Sequence, residues 1–343
     1  MDHAEPRYLE AKRSVDRRAL SRRVRAALLA GLPRAPRVLE AGCGTGVIVP
    51  RLLSWGVREF DYLGVDRDPR VVAFARDARP KELRYRGYEA VDTQRGGRIE
   101  ASRESRPVEV QFAFETGDAL ELLSQRANER GGEERTSGER GGEEWTSGER
   151  GGEEWTSGER GGEERTSGER GADLVVAGAF LDVVPLEPTI EAIESALAPG
   201  GLAYLPITFD GGTLFAPDHP LDDAVERAYH DAIDAVDGRN SRAGRAALSR
   251  LAARDGTLLA ANASDWIVRP RDGATDGYPQ DERWFLDRIL SFVAEVVDPA
   301  ASTASQLDRA GFDDWLETRR RQLAAAELTY VAHQYDLLYR APP

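Results

Sequence analysis

The chain has 343 residues, of which 41% are hydrophobic, and this predicts one large domain, or one domain with a smaller attached piece, around a sizeable core. Its formal net charge of −14 argues against nucleic-acid binding, although an arginine-rich and acidic composition is also typical of halophilic sources, where acidity serves solubility. No apolar stretch approaches the ~20 residues of a membrane span, and the charged N-terminus lacks a signal-peptide pattern, so we predict a cytoplasmic protein. One cysteine excludes an intramolecular disulfide, and without a Cys/His cluster we predict no metal.

The N-terminal segment, residues 1–34, is strongly basic and is predicted to form one helix over residues 7–29. Its apolar residues recur at helical spacing and form a single stripe: Leu20, Val24, Ala27 and Leu28. We expect this stripe to pack on the body of the protein, and the helix to close over a ligand site there.

Strand and helix signals then alternate as far as residue 208. The predicted strands are 37–41, 62–65, 108–114, 173–177 and 202–208, and the predicted helices are 46–55, 69–78, 119–125 and 187–198. This alternation predicts an α/β fold with a doubly wound parallel sheet, whose ligands bind at the carboxyl ends of the strands. We assign this core to residues 35–128 and 171–208.

A tandem repeat interrupts the core: residues 129–168 are four copies of a polar decapeptide containing three glycines. Because it has almost nothing to bury, we predict a low-complexity, loosely structured insertion over residues 129–170.

The remaining chain is less regular. The predicted helices are 221–236, 242–254, 282–297 and 304–325, and the predicted strands are 257–268 and 328–339. We expect residues 209–256 to form a helical cap and residues 257–343 to complete a mostly parallel sheet of seven strands.

The first predicted strand leads into Gly42-x-Gly44-x-Gly46, a turn whose glycines allow a ligand to approach the backbone closely. A dinucleotide fingerprint would need glycine at position 47, where this chain has Val47. Glu40, two residues before the turn, would repel a diphosphate but attract a sulfonium compound that carries an ammonium group. Electrostatics therefore favour S-adenosylmethionine (SAM) over a nicotinamide nucleotide.

Residues 38–46 resemble the first motif of class I SAM-dependent methyltransferases, and the stretches 63–66, 117–119 and 173–182 resemble the next three motifs in the correct order. The resemblance implies that Asp66 accepts hydrogen bonds from the ribose hydroxyls and that Asp118 receives the adenine amino group. The residues expected to bind the cofactor are Lys12, Glu40, Gly42, Cys43, Gly44, Gly46, Asp66, Arg67, Asp118, Ala119 and Ala179.

The leading helix resembles that of some small-molecule members, which makes Tyr8, Lys12 and Arg17 candidates for contact with the methionine tail. Residues 211–333 resemble bacterial and archaeal methyltransferases of unassigned substrate, and this resemblance implies no acceptor.

Methyl transfer needs alignment and, for a hydroxyl or an acidic carbon, a general base. His230 and His219 are the candidate bases, and Asp182 is a candidate for holding the acceptor. The aromatic residues Trp266, Tyr278 and Trp284 would either line an apolar acceptor pocket or pack in the core.

The fourth motif reads Ala-Gly-Ala-Phe over residues 177–180, whereas DNA amino-methyltransferases carry an Asn/Asp-Pro-Pro-aromatic tetrad there. We therefore expect a small-molecule acceptor. The alternatives are an RNA methyltransferase that uses the basic N-terminal helix, a non-catalytic SAM-binding protein, and an aminopropyl transferase on the same scaffold.

Overall fold

The computed structural model describes residues 5–102, 107–125, 171–274, 276–299 and 307–343, so the decapeptide repeat lies outside the described residues. The strands are β1 (Arg37–Ala41), β2 (Glu59–Asp66), β3 (Tyr88–Thr93), β4 (Gly96–Ser102), β5 (Glu109–Thr116), β6 (Ala172–Val176), β7 (Leu197–Ala216), β8 (Thr257–Ala263), β9 (Trp266–Val268) and β10 (Thr329–Arg340). The helices are α1 (Pro6–Ala11), α2 (Arg13–Ala19), α3 (Arg22–Gly31), α4 (Ile48–Ser54), α5 (Pro69–Tyr85), α6 (119–125), α7 (Leu186–Ala196), α8 (Asp222–Asp234), α9 (Ala243–Ala252), α10 (Glu282–Val296) and α11 (Arg309–Ala324).

All described strands belong to one sheet, in the order β3-β4-β5-β2-β1-β6-β7-β10-β8, with β9 also paired to β10. The five central strands β5, β2, β1, β6 and β7 run parallel to one another. Strand β4 runs antiparallel to β5, and β10 runs antiparallel to β7 and β8. The predicted α/β class with a mostly parallel sheet is therefore confirmed.

The sheet has more than the seven strands that we expected. The antiparallel hairpin of β3 and β4 extends one edge, and the predicted strand 257–268 is divided into β8 and β9. The hairpin is short and β3 buries only Ala90, so its sequence carries a weak apolar pattern.

Strand β1 explains why the sheet is covered on both faces. Successive side chains of a strand point to opposite faces. Val38 packs in a core with residues of α3, α4 and α5, whereas Leu39 packs in a second core with residues of α7 and α9. Both faces of β1 are thus covered by apolar cores.

The N-terminal segment forms three helices rather than the single helix that we predicted. The break before α3 falls at Ser21, whose backbone is extended and whose hydroxyl accepts a hydrogen bond from the Val24 amide at 3.3 Å. Serine is a favoured N-cap because its side chain satisfies a free amide of the first turn. The apolar stripe packs as expected, since Val24 and Leu28 are fully buried against the sheet.

A third apolar core lies beyond the carboxyl edge of the parallel strands. Strands β7 and β10 extend past the main sheet as a paired ribbon, and α1, α8, α10 and α11 pack around it. Helix α9, predicted as part of a cap, packs instead against β7, β8 and β10 of the main sheet. Among the described helices, none is both long and apolar enough to cross a membrane.

Candidate functional site

A cavity of about 370 Å³ lies at the carboxyl ends of the parallel strands, and we call it the larger cavity. It has the size of an ordinary small-molecule site. Every residue predicted to bind the cofactor lines it, with the exception of Gly46. The structure thus brings together residues from α1–α2, from the turn after β1, and from the ends of β2, β5 and β6.

The glycines of the turn after β1 adopt backbone conformations that other residues rarely adopt. Gly42 has φ of +68°, and a Cβ atom there would lie 2.5 Å from the Phe180 ring. Gly46 has φ of +74°, and a Cβ atom there would lie 2.3 Å from the Phe114 ring. Gly46 therefore belongs to the packing beneath the cavity, and Gly42 belongs to its floor.

Asp66, at the end of β2, holds the turn and also faces the larger cavity. Its two carboxylate oxygens accept hydrogen bonds from the Gly44 amide at 2.9 Å and the Asp68 amide at 3.0 Å. A carboxylate offers about four acceptor positions, so two remain for a ligand. This geometry is compatible with a pair of vicinal hydroxyls.

Glu40 lies on the floor of the larger cavity and is buried. The Tyr62 hydroxyl donates a hydrogen bond to its Oε2 atom. Burial raises the pKa of Glu40 to about 8, and the hydrogen bond from Tyr62 offsets this only in part. A cation that entered the cavity would favour the ionised carboxylate and lower this pKa.

Two further predicted residues have clear local roles. The Oδ1 atom of Asp118 caps α6, accepting hydrogen bonds from the amides of Leu120 at 2.8 Å and Glu121 at 3.0 Å. Cys43 is buried, and burial raises the pKa of its thiol well above the usual value. A thiol that stays protonated is a poor nucleophile, so Cys43 contributes packing to the turn.

Helices α1 and α2 close one side of the larger cavity with Leu9, Lys12 and Asp16. The Lys12 Nζ atom lies 3.6 Å from Asp16 Oδ2 and 5.6 Å from the centre of the Trp266 ring. The exposed Arg17 is absent from the lining.

Several N-terminal arginines pair with carboxylates of the protein. These ion pairs are Arg7–Asp281, Arg13–Glu82 and Arg18–Glu282. Much of the positive charge that would serve an RNA complex is therefore neutralised within the fold.

A second cavity of about 170 Å³, which we call the smaller cavity, adjoins the larger one. The residues that line both cavities are Leu9, Lys12, Ala179, Val183, Ile207 and Arg239. Five aromatic residues line the smaller cavity and not the larger one: Tyr8, Phe209, Tyr229, Trp266 and Tyr330. Asp182 and Gln334 also line the smaller cavity.

Two of the residues that border both cavities have strained backbones. Ala179 has φ of +51° and Ile207 has φ of +58°, a region that is particularly unfavourable for a β-branched side chain. Hydrogen bonds hold them, since the Ile207 amide donates to Asp336 Oδ1 at 3.0 Å and the Ala179 amide donates to the Pro206 carbonyl at 3.0 Å. Such strain costs about 1–3 kcal/mol per residue and clusters at functional sites.

The candidate acid–base residues fall in different places. Asp182 lines the smaller cavity, and burial raises its pKa to about 6. His230 and His219 line neither cavity. The Nε2 atom of His230 lies 3.1 Å from the Thr213 hydroxyl, and the Nδ1 atom of His219 accepts a hydrogen bond from the Leu221 amide at 3.2 Å.

The predicted aromatic residues also separate. Trp266 lines the smaller cavity, and its indole N–H donates to Asp16 Oδ1 at 2.9 Å. Tyr278 is buried with its hydroxyl on the Leu328 carbonyl, and Trp284 packs against the third core. Four residues of the smaller cavity were not predicted as site residues, because their positions in the sequence give no sign that they meet: Phe209, Tyr229, Arg239 and Tyr330.

Among solved structures, this chain is similar to a SAM-dependent methyltransferase from Geobacter sulfurreducens in complex with S-adenosyl-L-homocysteine (16% identity, TM-score 0.42, 99% of each chain covered). It is also similar to one from Thiobacillus denitrificans in complex with the same ligand (15% identity, TM-score 0.41, 94% of this chain and 92% of that chain). A third similar structure is the [4+2]-cyclase SpnF (16% identity, TM-score 0.38, 93% and 80% covered). Protein-family models and curated proteins gave no match. These values are too low to transfer a reaction to this chain, so the function rests on its own site.

Proposed function

We propose that this protein is a SAM-dependent methyltransferase that acts on a small molecule. The observation that carries the proposal is the meeting of Glu40, the glycine turn and Asp66 in a cavity that shares lining residues with a second, aromatic-lined cavity. The larger cavity would hold the cofactor and the smaller one the acceptor.

The residues of the larger cavity fit the chemistry of SAM. Asp66 has acceptor positions left for the two ribose hydroxyls, and Asp118 has its Oδ2 atom left for the adenine amino group, because only Oδ1 caps α6. Glu40, once ionised by the approach of a cation, would suit the ammonium of the methionine part, and Lys12 would suit its carboxylate. When bound, SAM would supply a methyl group already activated by its sulfonium.

A diphosphate fits the same lining poorly. The larger cavity is lined by four basic residues, Lys12, Arg51, Arg67 and Arg239, and by five acidic residues, Asp16, Glu40, Asp66, Asp68 and Asp118. The acidic residues include Glu40, just before the glycine turn, and Asp66, which accepts a hydrogen bond from the Gly44 amide of that turn. Bringing a diphosphate beside several carboxylates costs repulsion that a sulfonium does not meet. Helix α4, which follows the turn, has only seven residues and offers little compensating dipole.

The role of the enzyme's own residues is then alignment and desolvation. Leu9, Ile207 and Ala179 border both cavities, so an opening between cofactor and acceptor would lie among these residues. Holding two reactants in line across such an opening is worth several kcal/mol of the barrier. The rigid, strained backbone at Ala179 and Ile207 keeps this opening in place.

Calorimetry with S-adenosyl-L-homocysteine tests the cofactor assignment. We expect micromolar binding by the natural chain, and a loss of about 10- to 100-fold in the Asp66→Ala variant, since two charge-assisted hydrogen bonds are removed. Asp61→Ala, at the exposed start of the same strand, serves as the matched control and should bind normally. Binding of a nicotinamide dinucleotide, and not of S-adenosyl-L-homocysteine, would refute the assignment of SAM as the cofactor.

A further inference from the structure

Tyr62 lies beneath the larger cavity and is connected to it through Glu40. It is 3% exposed and does not line the cavity itself. Its hydroxyl donates a hydrogen bond to Glu40 Oε2. The second carboxyl oxygen, Glu40 Oε1, is not fully buried and accepts no hydrogen bond from the residues that the structure describes. The protein therefore fixes one oxygen of this carboxyl group and leaves the other accessible to a ligand.

The register of the two strands explains why the hydroxyl reaches this carboxyl group. Strands β1 and β2 pair in parallel, with Val38 opposite Tyr62 and Glu40 opposite Gly64. Tyr62 and Gly64 are two residues apart, so they share one face of β2. Because Gly64 has no side chain, the Tyr62 hydroxyl lies over it and reaches Glu40. A Cβ atom at position 64 would overlap this hydroxyl.

The ring of Tyr62 is held by the packing beneath the glycine turn. It contacts Phe114 edge-on, with the ring centres 5.6 Å apart and an interplanar angle of 65°. Aromatic pairs favour this arrangement over a face-to-face sandwich. Phe114 is fully buried, and its ring also fills the space next to Gly46. The position of the hydroxyl therefore depends on the same packing that shapes the turn.

The hydrogen bond favours the ionised form of Glu40. Burial raises the pKa of Glu40 to about 8, and the bond from Tyr62 opposes this rise. Burial also raises the pKa of Tyr62 well above its usual value, so its hydroxyl keeps the proton that it donates. The other ionisable groups close to Glu40 are Arg51 on α4, Lys12 at the end of α1, Asp66 on β2 and the Cys43 thiol. Among the described residues, Tyr62 alone donates a hydrogen bond to Glu40.

We propose that Tyr62 is a positioning residue for the cofactor: its hydroxyl holds the Glu40 carboxyl group in place and stabilises the carboxylate that pairs with the ammonium of the methionine part. This inference rests on the proposed function. It assigns a role to a residue that lines neither cavity.

The proposal predicts that removing the hydroxyl weakens cofactor binding in a way that depends on pH. Below the pKa of Glu40, a bound cation requires the carboxyl group to ionise, and ionisation is less favourable without the hydrogen bond. Well above this pKa, the carboxyl group is already ionised in the ligand-free protein, so the difference disappears. The neighbouring charged groups are the same in both proteins and cancel in the comparison.

Calorimetry with S-adenosyl-L-homocysteine compares the natural protein with Tyr62→Phe, which keeps the ring and its contact with Phe114. We expect the affinity of the variant to be about 10-fold lower at pH 6.5, since a hydrogen bond to a charged group is lost, and within about twofold of the natural protein at pH 9. At pH 8, Glu40 of the natural protein is already about half ionised, so binding should release about half a proton from it. The variant should release close to one.

Two controls separate positioning from packing. Tyr204→Phe removes a buried hydroxyl of the same apolar core that has no hydrogen-bond partner among the described residues, and it should leave the affinity unchanged at both pH values. In a Glu40→Gln background, Tyr62→Phe should change the affinity by less than about twofold, because the group through which it acts can no longer ionise. If Tyr62→Phe does not fold, Gly64→Ala gives the same comparison, because its Cβ atom would take the place of the hydroxyl.

The outcomes that would overturn the inference are an unchanged affinity of Tyr62→Phe at pH 6.5, an equal loss at both pH values, or a loss that persists in the Glu40→Gln background. Each would show that Tyr62 has only a packing role. Absence of S-adenosyl-L-homocysteine binding by the natural protein would instead contradict the proposed function itself, so the two failures are distinguishable.

Discussion

Replacing Glu40 by glutamine tests the electrostatics of the larger cavity most directly. Glutamine has the shape of a protonated glutamic acid and can still accept the hydrogen bond from Tyr62. Because burial raises the pKa of Glu40 to about 8, the carboxyl group of the ligand-free protein is mostly protonated at pH 7. The substitution therefore changes little in the empty cavity. It prevents the ionisation of residue 40 that a bound cation would favour.

The expected magnitudes follow from this pKa. A rise from an ordinary glutamate value to about 8 disfavours the ionised carboxylate by on the order of 5 kcal/mol. Since the folded pKa lies above the unfolded one, the folded chain holds a proton that the unfolded chain releases between about pH 4.5 and pH 8. The contribution of Glu40 to stability is complete below this window and is lost as the pH rises through it.

Thermal unfolding and calorimetry measure both consequences. When the pH is raised from 5 to 8.5, the melting temperature of both proteins should fall, and the decrease should be several degrees smaller for the Glu40→Gln variant than for the natural protein. Binding of S-adenosyl-L-homocysteine at pH 7 should release close to one proton from Glu40 in the natural protein and none from this position in the variant. Repeating the calorimetric titration in buffers of different ionisation enthalpy measures this proton release. The affinity should fall about 10- to 100-fold in the variant.

The substitution Glu109→Gln, at an exposed position, is the matched control. It should change neither the pH dependence of the melting temperature nor the calorimetric titration. If the Glu40→Gln variant bound S-adenosyl-L-homocysteine with unchanged affinity and unchanged proton release, the Glu40 carboxylate would not face the ammonium group of the ligand. The electrostatic argument for SAM would then fail.

Two further predictions concern the framework of the site. In urea unfolding, Gly42→Ala should lower the free energy of unfolding by about 1–3 kcal/mol more than Gly56→Ala. Both glycines have positive φ, but only a Cβ atom at position 42 would clash with a neighbouring ring, that of Phe180. Equal losses of unfolding free energy would show that the Phe180 ring moves aside freely. Arg79, whose side chain is 2% exposed, pairs with Glu10 of α1, so Arg79→Ala should cost about 3–5 kcal/mol and weaken homocysteine binding by loosening α1. The exposed Lys81→Ala should cost under about 0.5 kcal/mol, and a similar small loss in both variants would contradict the role of Arg79.

The sequence by itself determined the class of fold and the floor of the larger cavity. Strand β1 follows directly from an apolar run, and the turn after it follows from glycines spaced two residues apart. These signals are local, since a buried strand needs apolar residues and a left-handed turn needs glycine wherever the rest of the chain lies. Asp66 and Asp118 could be named in advance only because the stretches 63–66 and 117–119 resemble the second and third motifs of class I SAM-dependent methyltransferases.

Only the tertiary structure decided which residues form the smaller cavity. Asp182 follows β6, Tyr229 lies on α8 and Gln334 lies on β10, and no spacing in the sequence links these elements. The same applies to His230, which lies on a helix near the site yet lines neither cavity. Which side chains meet at a cavity depends on contacts between segments that are distant along the chain, and local sequence patterns do not indicate those contacts.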